Sequence, residues 1–154
     1  MIRVVLTVLV AVALLAASMP AVETARTATT TERIGAEADR LERAIGGVIS
    51  GSTPVTDPAM AAQTTVLLRV PSGFAAAAVD RVALVDAPDR PGGVALAYRI
   101  EGRPERTLRV GTGPAKTAVD LGGGPIELRP GGANRIRIQY VDDGGPTVRI
   151  SRIG

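Results

Sequence analysis

The side chains able to do chemistry are few in this chain, and the missing types narrow its range before any fold is considered. Cysteine, histidine and tryptophan are absent. Without cysteine there is no disulfide, thiolate nucleophile, Cys-ligated metal or lipid-modified N-terminal cysteine. Without histidine the commonest metal ligand and the commonest general base are both missing. Ser52 and Ser72 therefore have no imidazole to activate them. Asp86, Asp89, Asp142 and Asp143 lie in turns. Paired carboxylates of this kind can hold a hard cation or act as acid and base. Their spacing is not that of a calcium loop, and aspartate in a turn ordinarily accepts hydrogen bonds from local backbone. The run Gly111-Thr112-Gly113-Pro114-Ala115-Lys116-Thr117 superficially resembles a phosphate-binding loop. Such a loop needs a glycine directly before the lysine and a helix directly after it. Here Ala115 precedes Lys116, and Ala-Val-Asp-Leu-Gly-Gly-Gly-Pro follows, so a long surface loop is expected. No enzymatic activity, metal, cofactor or nucleotide is expected.

One constellation remains, and it is made of arginine. Of the 18 basic residues only Lys116 is lysine, and residues 64–154 hold thirteen bases against nine acids, a bias of +4. That is too weak to imply nucleic acid without aromatic platforms for bases. Arg135, Arg137 and Arg149 alternate with apolar residues and would share the outer face of a hairpin. They could meet an anionic lipid headgroup or an acidic partner. Equally, they could form a solvated face that discourages edge-to-edge aggregation.

The elements that position these residues begin with an apolar run. Val4 to Val22 (VVLTVLVAVALLAASMPAV) carries no charge. As a helix it covers roughly 28 Å, close to the thickness of a hydrocarbon core. Arg3 precedes it and Glu23 follows, so the positive-inside rule places Met1 in the cytoplasm and everything after Glu23 outside. Ala16-Ala17-Ser18 would serve as a signal-peptidase site, which would release a secreted chain, but it leaves Met19-Pro20 at the new terminus. A permanent signal anchor at residues 1–22 fits the length better.

A nearly bare N-terminus, an apolar helix, a proline near its end (Pro20) and an amphipathic continuation together resemble the type IV pilins and pseudopilins. The resemblance covers residues 1 to about 50 in detail. It implies a helix that sits in the membrane and packs into a filament core, with a β-rich head outside. Arg3 abuts Val4 with no intervening Gly or Ala, and no acidic residue stands early in the run, so the implied protein is a pilin-like anchor left unprocessed. The whole chain is also similar to small haloarchaeal membrane proteins of pilus or secretion loci. What this implies is a structural or assembly role in a surface pilus or secretion apparatus, with the lipid bilayer and other components of that apparatus as partners. The competing expectation is an exported or anchored β domain that captures an anionic ligand through its arginine face.

Residues 23–50 read as an amphipathic stalk. Ile34, Ala38, Leu41, Ile45 and Val48 recur at steps of 4, 3, 4 and 3, a stripe narrow enough for a coiled-coil seam. Ile34, Leu41, Ile45 and Val48 would either dock on the chain's own β domain or contact a partner helix. Asp39 and Arg43 are spaced as a favourable i,i+4 pair. Thr27 to Thr31 is poor helix material and predicts a loose joint. Gly46-Gly47 and then Gly51 to Pro54 should end the helix, with residues 51–63 a flexible connector turning at Thr56-Asp57-Pro58.

From Thr64 the period becomes two. Strands are predicted at Thr65–Val70, Val79–Val85, Val94–Ile100, Thr107–Val110, Pro125–Leu128, Arg135–Val141 and Thr147–Ile150, with a helical turn at Phe74 to Ala78. Short strands parted by Gly/Pro breaks argue for an antiparallel meander, sandwich or small barrel over residues 64–154, so the fold class is mainly β with an N-terminal helix. Ile136, Ile138 and Tyr140 should face a core opposite Arg135, Arg137 and Gln139. In the third strand Val94, Leu96, Tyr98 and Ile100 should be buried, and Ala95, Ala97 and Arg99 wet.

Overall fold

Both N-terminal segments form one uninterrupted helix, α1 (Ile2–Ser50), in the computed structural model, which describes residues 1–111, 113 and 116–154. Pro20 lies inside the helix. It has no N–H to give the preceding turn, so a carbonyl of that turn goes without its usual intrahelical partner. The loose joint expected at Thr27–Thr31 is helix as well. Thr30 is fully buried, and its hydroxyl accepts the Ala77 N–H at 2.9 Å, so a tertiary contact overrides weak propensity. Gly46-Gly47 does not stop the helix either. It ends at Gly51, whose N–H reaches the Gly47 carbonyl at 3.1 Å.

Eight strands follow: β1 (Ala62–Arg69), β2 (Val79–Asp86), β3 (Val94–Ile100), β4 (Arg106–Val110), β5 (Ala118–Asp120), β6 (Ile126–Glu127), β7 (Ala133–Asp142) and β8 (Pro146–Ile153). They form two four-stranded sheets, β1-β7-β8-β5 and β4-β3-β2-β6, neither closed into a barrel. Seven of the eight lie where alternation placed a strand. The eighth, β5, pairs parallel with β8 and breaks the antiparallel pattern. Of the helical turn expected at Phe74 to Ala78, the structure has a single turn at Phe74-Ala75, closed by the Ala76 N–H on the Gly73 carbonyl at 3.1 Å. The connector is pinned, since Val55 bridges Val141 and the Asp142 N–H reaches the Val55 carbonyl at 3.0 Å.

The inner faces of both sheets and the buried stripe of α1 meet in a single core containing Ile34, Leu41, Ile45, Leu68, Leu96, Tyr98, Ile136, Ile138 and Ile150. The alternation on β7 holds, with Ile136, Ile138 and Tyr140 inside. On β3 it does not. Ala95 and Ala97 are as buried as their apolar neighbours, and only Arg99 is wet. Ala97 pairs with Ala83 on β2, and longer residues (Arg81, Arg99, Thr107, Arg109) surround these alanines on the same outer face. A methyl side chain among such neighbours loses contact with water without any second layer above it.

Helix α1 runs antiparallel to β1 and contacts both β1 and β4, the adjacent edges of the two sheets. Its charged residues satisfy the bare backbone of those edges. The Glu37 carboxylate accepts the Arg69 N–H at 3.1 Å, Arg40 donates to the Leu67 carbonyl at 3.3 Å, and Glu42 accepts the Gly111 N–H at 3.1 Å. Arg40 also bridges Glu37 at 3.1 Å. The expected Asp39–Arg43 ion pair is absent among the described residues; Arg43 donates instead to the Asp39 carbonyl. An exposed edge strand invites foreign strands, and covering it with a helix removes the template. Replacing Glu37 with alanine strips a charged acceptor from both Arg69 and Arg40 and should destabilise the domain by about 1–2 kcal/mol, with Glu37→Gln losing less. Urea titration of the two variants in mild detergent checks this; equal, negligible losses would show that water replaces the carboxylate.

Candidate functional site

Two features of this architecture are candidates for function, and they sit on different parts of the chain. The first is the N-terminal half of α1. Residues 1–25 are all exposed, whereas Thr30, Ile34, Ala38, Leu41 and Ile45 are buried. The helix thus changes surroundings within one and a half turns. This is the one helix among the described residues long and apolar enough to cross a membrane. Its exposed side chains include Leu6, Leu9, Val12, Leu14, Leu15 and Met19, a cylinder that is apolar all round. An all-round apolar helix is stable when buried or in lipid, not in water.

The second is the outer face of the β1-β7-β8-β5 sheet. Arg135 and Arg137 are exposed there and stand roughly 7 Å apart along β7, two residues on one side of a strand. Their cross-strand neighbours are neutral: Leu67 and Ile153 beside Arg135, Thr65 and Ser151 beside Arg137. Neither guanidinium has a carboxylate partner among the described residues. Arg149 shares the face but not the freedom. It bridges Asp120 and Asp143, each at 3.3 Å, so the expected three-arginine patch reduces to two. The acids that neutralise it come from β5 and from the β7–β8 turn.

The remaining residues singled out for chemistry are accounted for locally. Ile34, Leu41 and Ile45 are within 2 % of full burial and Val48 packs against the same core, so the seam docks on the chain's own sheets. A partner helix could reach those side chains only by displacing both sheets, which corrects the alternative expectation. Asp89 pairs with Arg109 and Asp143 with Arg149, while the Ser52 hydroxyl donates to the Val48 carbonyl at the end of α1. Among the described residues no group of three or more acids is placed to hold a metal ion. Of the loop that resembles a phosphate-binding turn, Thr112, Pro114 and Ala115 lie outside the described residues. On the outer face of the other sheet, Arg81 is held by Glu127 at 2.7 Å and Glu105 at 3.3 Å. The hydrogen bond to Glu127 foremost, then its charge, raises the Arg81 pKa and keeps the guanidinium ionised.

A polar group that periodicity did not single out is Asn134, which is 3 % exposed. Its side-chain oxygen accepts the Arg129 N–H at 2.8 Å, and its NH2 group donates to the Arg129 carbonyl at 3.1 Å and the Leu68 carbonyl at 3.4 Å. It ties the turn before β7 to β1. An asparagine at the start of an alternating strand, two residues after Gly131-Gly132, was the available signal.

A family model described as Domain of unknown function (DUF7311) matches residues 1–153. The chain belongs to this family. No curated protein and no solved structure matches it. The DUF7311 match takes in the bare helix, the docked helix and both sheets.

Proposed function

We propose that this DUF7311 chain is a single-pass membrane protein whose retained N-terminal helix anchors a β domain outside the cytoplasm, with a structural or assembly role in a surface pilus or secretion apparatus. One observation carries this reading: α1 is bare and apolar through its first half and built into the domain core through its second, with no break between. An N-terminal apolar helix followed by a β-rich head is also what the pilin resemblance implies. The cytoplasmic N-terminus in this reading rests on Arg3, which stands directly before the run.

A second reading, capture of an anionic ligand or surface, is favoured by the unpartnered pair Arg135 and Arg137. The two readings separate in one experiment. Membranes carrying the full chain are solubilised gently, and the size of the native complex is compared between the wild type and Arg135→Gln/Arg137→Gln. A complex larger than the monomer that survives the double substitution supports assembly. A complex lost with the two charges supports anionic capture, and a monomer in both cases sinks the assembly role.

A further inference from the structure

Phe74 is the only phenylalanine in the chain, and it is 90 % exposed. It stands at the tip of the β1–β2 loop, which is not loosely hung. The Ala76 N–H reaches the Gly73 carbonyl at 3.1 Å, Gly73 takes a left-handed φ of 90°, and the Ala77 N–H is held by Thr30 of α1 at 2.9 Å. The loop is therefore locked to the helix, and the Arg26 guanidinium lies 4.6 Å from the centre of the Phe74 ring. Loop, helix and the β3–β4 turn together wall a cleft of about 460 Å³, lined by Glu23, Arg26, Thr27, Phe74, Ala77 and Arg103.

The height of this loop along α1 suggests what covers the phenylalanine. The uncharged run ends at Val22, and Arg26 is four residues further on, about 6 Å along the axis. Headgroups extend a bilayer beyond its hydrocarbon by roughly 5–8 Å on each side. If Val22 marks the hydrocarbon boundary, Arg26 and the ring stacked on it fall within the headgroup layer. Aromatic rings partition to that layer, and arginines beside them can meet lipid phosphates. Resting on the anchor reading above, we propose that the β1–β2 loop is a second membrane contact. Phe74 enters the headgroup layer of the leaflet from which α1 emerges, while Arg26 and Arg103 engage anionic lipid phosphates. The domain then sits on the membrane in one orientation instead of swaying above it.

Because the chain has no tryptophan, a single introduced one reports its own surroundings. Two full-length variants, Phe74→Trp and Val12→Trp, are reconstituted in phosphatidylglycerol vesicles spin-labelled either at the headgroup or at mid-chain. The expected result is blue-shifted emission from both, with Phe74→Trp quenched mainly by the headgroup label and Val12→Trp mainly by the mid-chain label. If Val12→Trp is quenched by lipid while Phe74→Trp emits as in water, the loop contact is overturned and the anchor stands. If neither is quenched, the anchor reading fails and the loop contact with it. A blue-shifted Phe74→Trp that no lipid label quenches is covered by protein, such as a second copy of the chain, which also overturns the proposal.

Discussion

Replacing Leu41 with alanine is expected to destabilise the β domain by about 3 kcal/mol, within the range for truncating a fully buried leucine. Leu41 is 0 % exposed and lies in the cluster shared by both sheets, so the loss combines removed contacts with a cavity that three rigid elements cannot easily close. Leu14, on the same helix, is 66 % exposed, and Leu14→Ala should leave the domain unchanged. Urea unfolding of the full-length variants in mild detergent, followed by the far-ultraviolet signal of the sheets, makes the comparison. Equal stabilities for the two variants would mean that the helix does not belong to the domain core. Leu41→Asp and Ile45→Asp should unfold the domain outright, so these substitutions cannot probe contact with another protein.

Charges placed in the bare half should have the opposite profile, abolishing membrane insertion while leaving the fold intact. At the centre of a spanning helix an arginine or aspartate costs about 2.5–3.5 kcal/mol. The double variant Val12→Arg/Leu14→Asp therefore opposes insertion by roughly twice that amount. Both side chains are exposed, so the β domain loses nothing. Alkaline extraction of membranes should release the variant and retain the wild type, and external protease should reach the domain only in the wild type. A variant that stays in the pellet with its domain as open to external protease as the wild type's would remove the basis for the anchor.

The parts of this fold that were legible in the sequence are those whose signal is local. Alternation on β7 and β8 requires only that Ile136, Ile138, Val148 and Ile150 share a face, and the 3.6-residue period of Ile34, Leu41 and Ile45 is visible without any partner. What escaped depends on residues far apart in the chain. Strand β5 is three residues long and exists because it lies parallel to β8, a pairing that leaves no periodicity in Ala-Val-Asp. Thr27 to Thr31 looked like a joint because propensity knows nothing of Ala77 waiting for the Thr30 hydroxyl. Ala95 and Ala97 are buried because their neighbours are long, not because alanine is apolar enough to demand it. The arginine face was half legible. The positions of Arg135, Arg137 and Arg149 follow from period two, but the neutralisation of Arg149 needs Asp120 and Asp143 to converge from elsewhere. The loop at Phe74 was read for its backbone alone, because nothing in the residues around it announces Arg26.

The way α1 lies against the edges of β1 and β4 also decides how the domain bears load. The helix is antiparallel to β1 and joined to it at Glu37 and Arg40, with Glu42 fastening the end of β4. A pull along the bare half of α1 therefore acts parallel to those contacts and stresses them all together. Peeling would break them one at a time and needs far less force. The domain would resist a load applied along α1 and would yield most readily to a sideways pull that lifts the helix off the two edges.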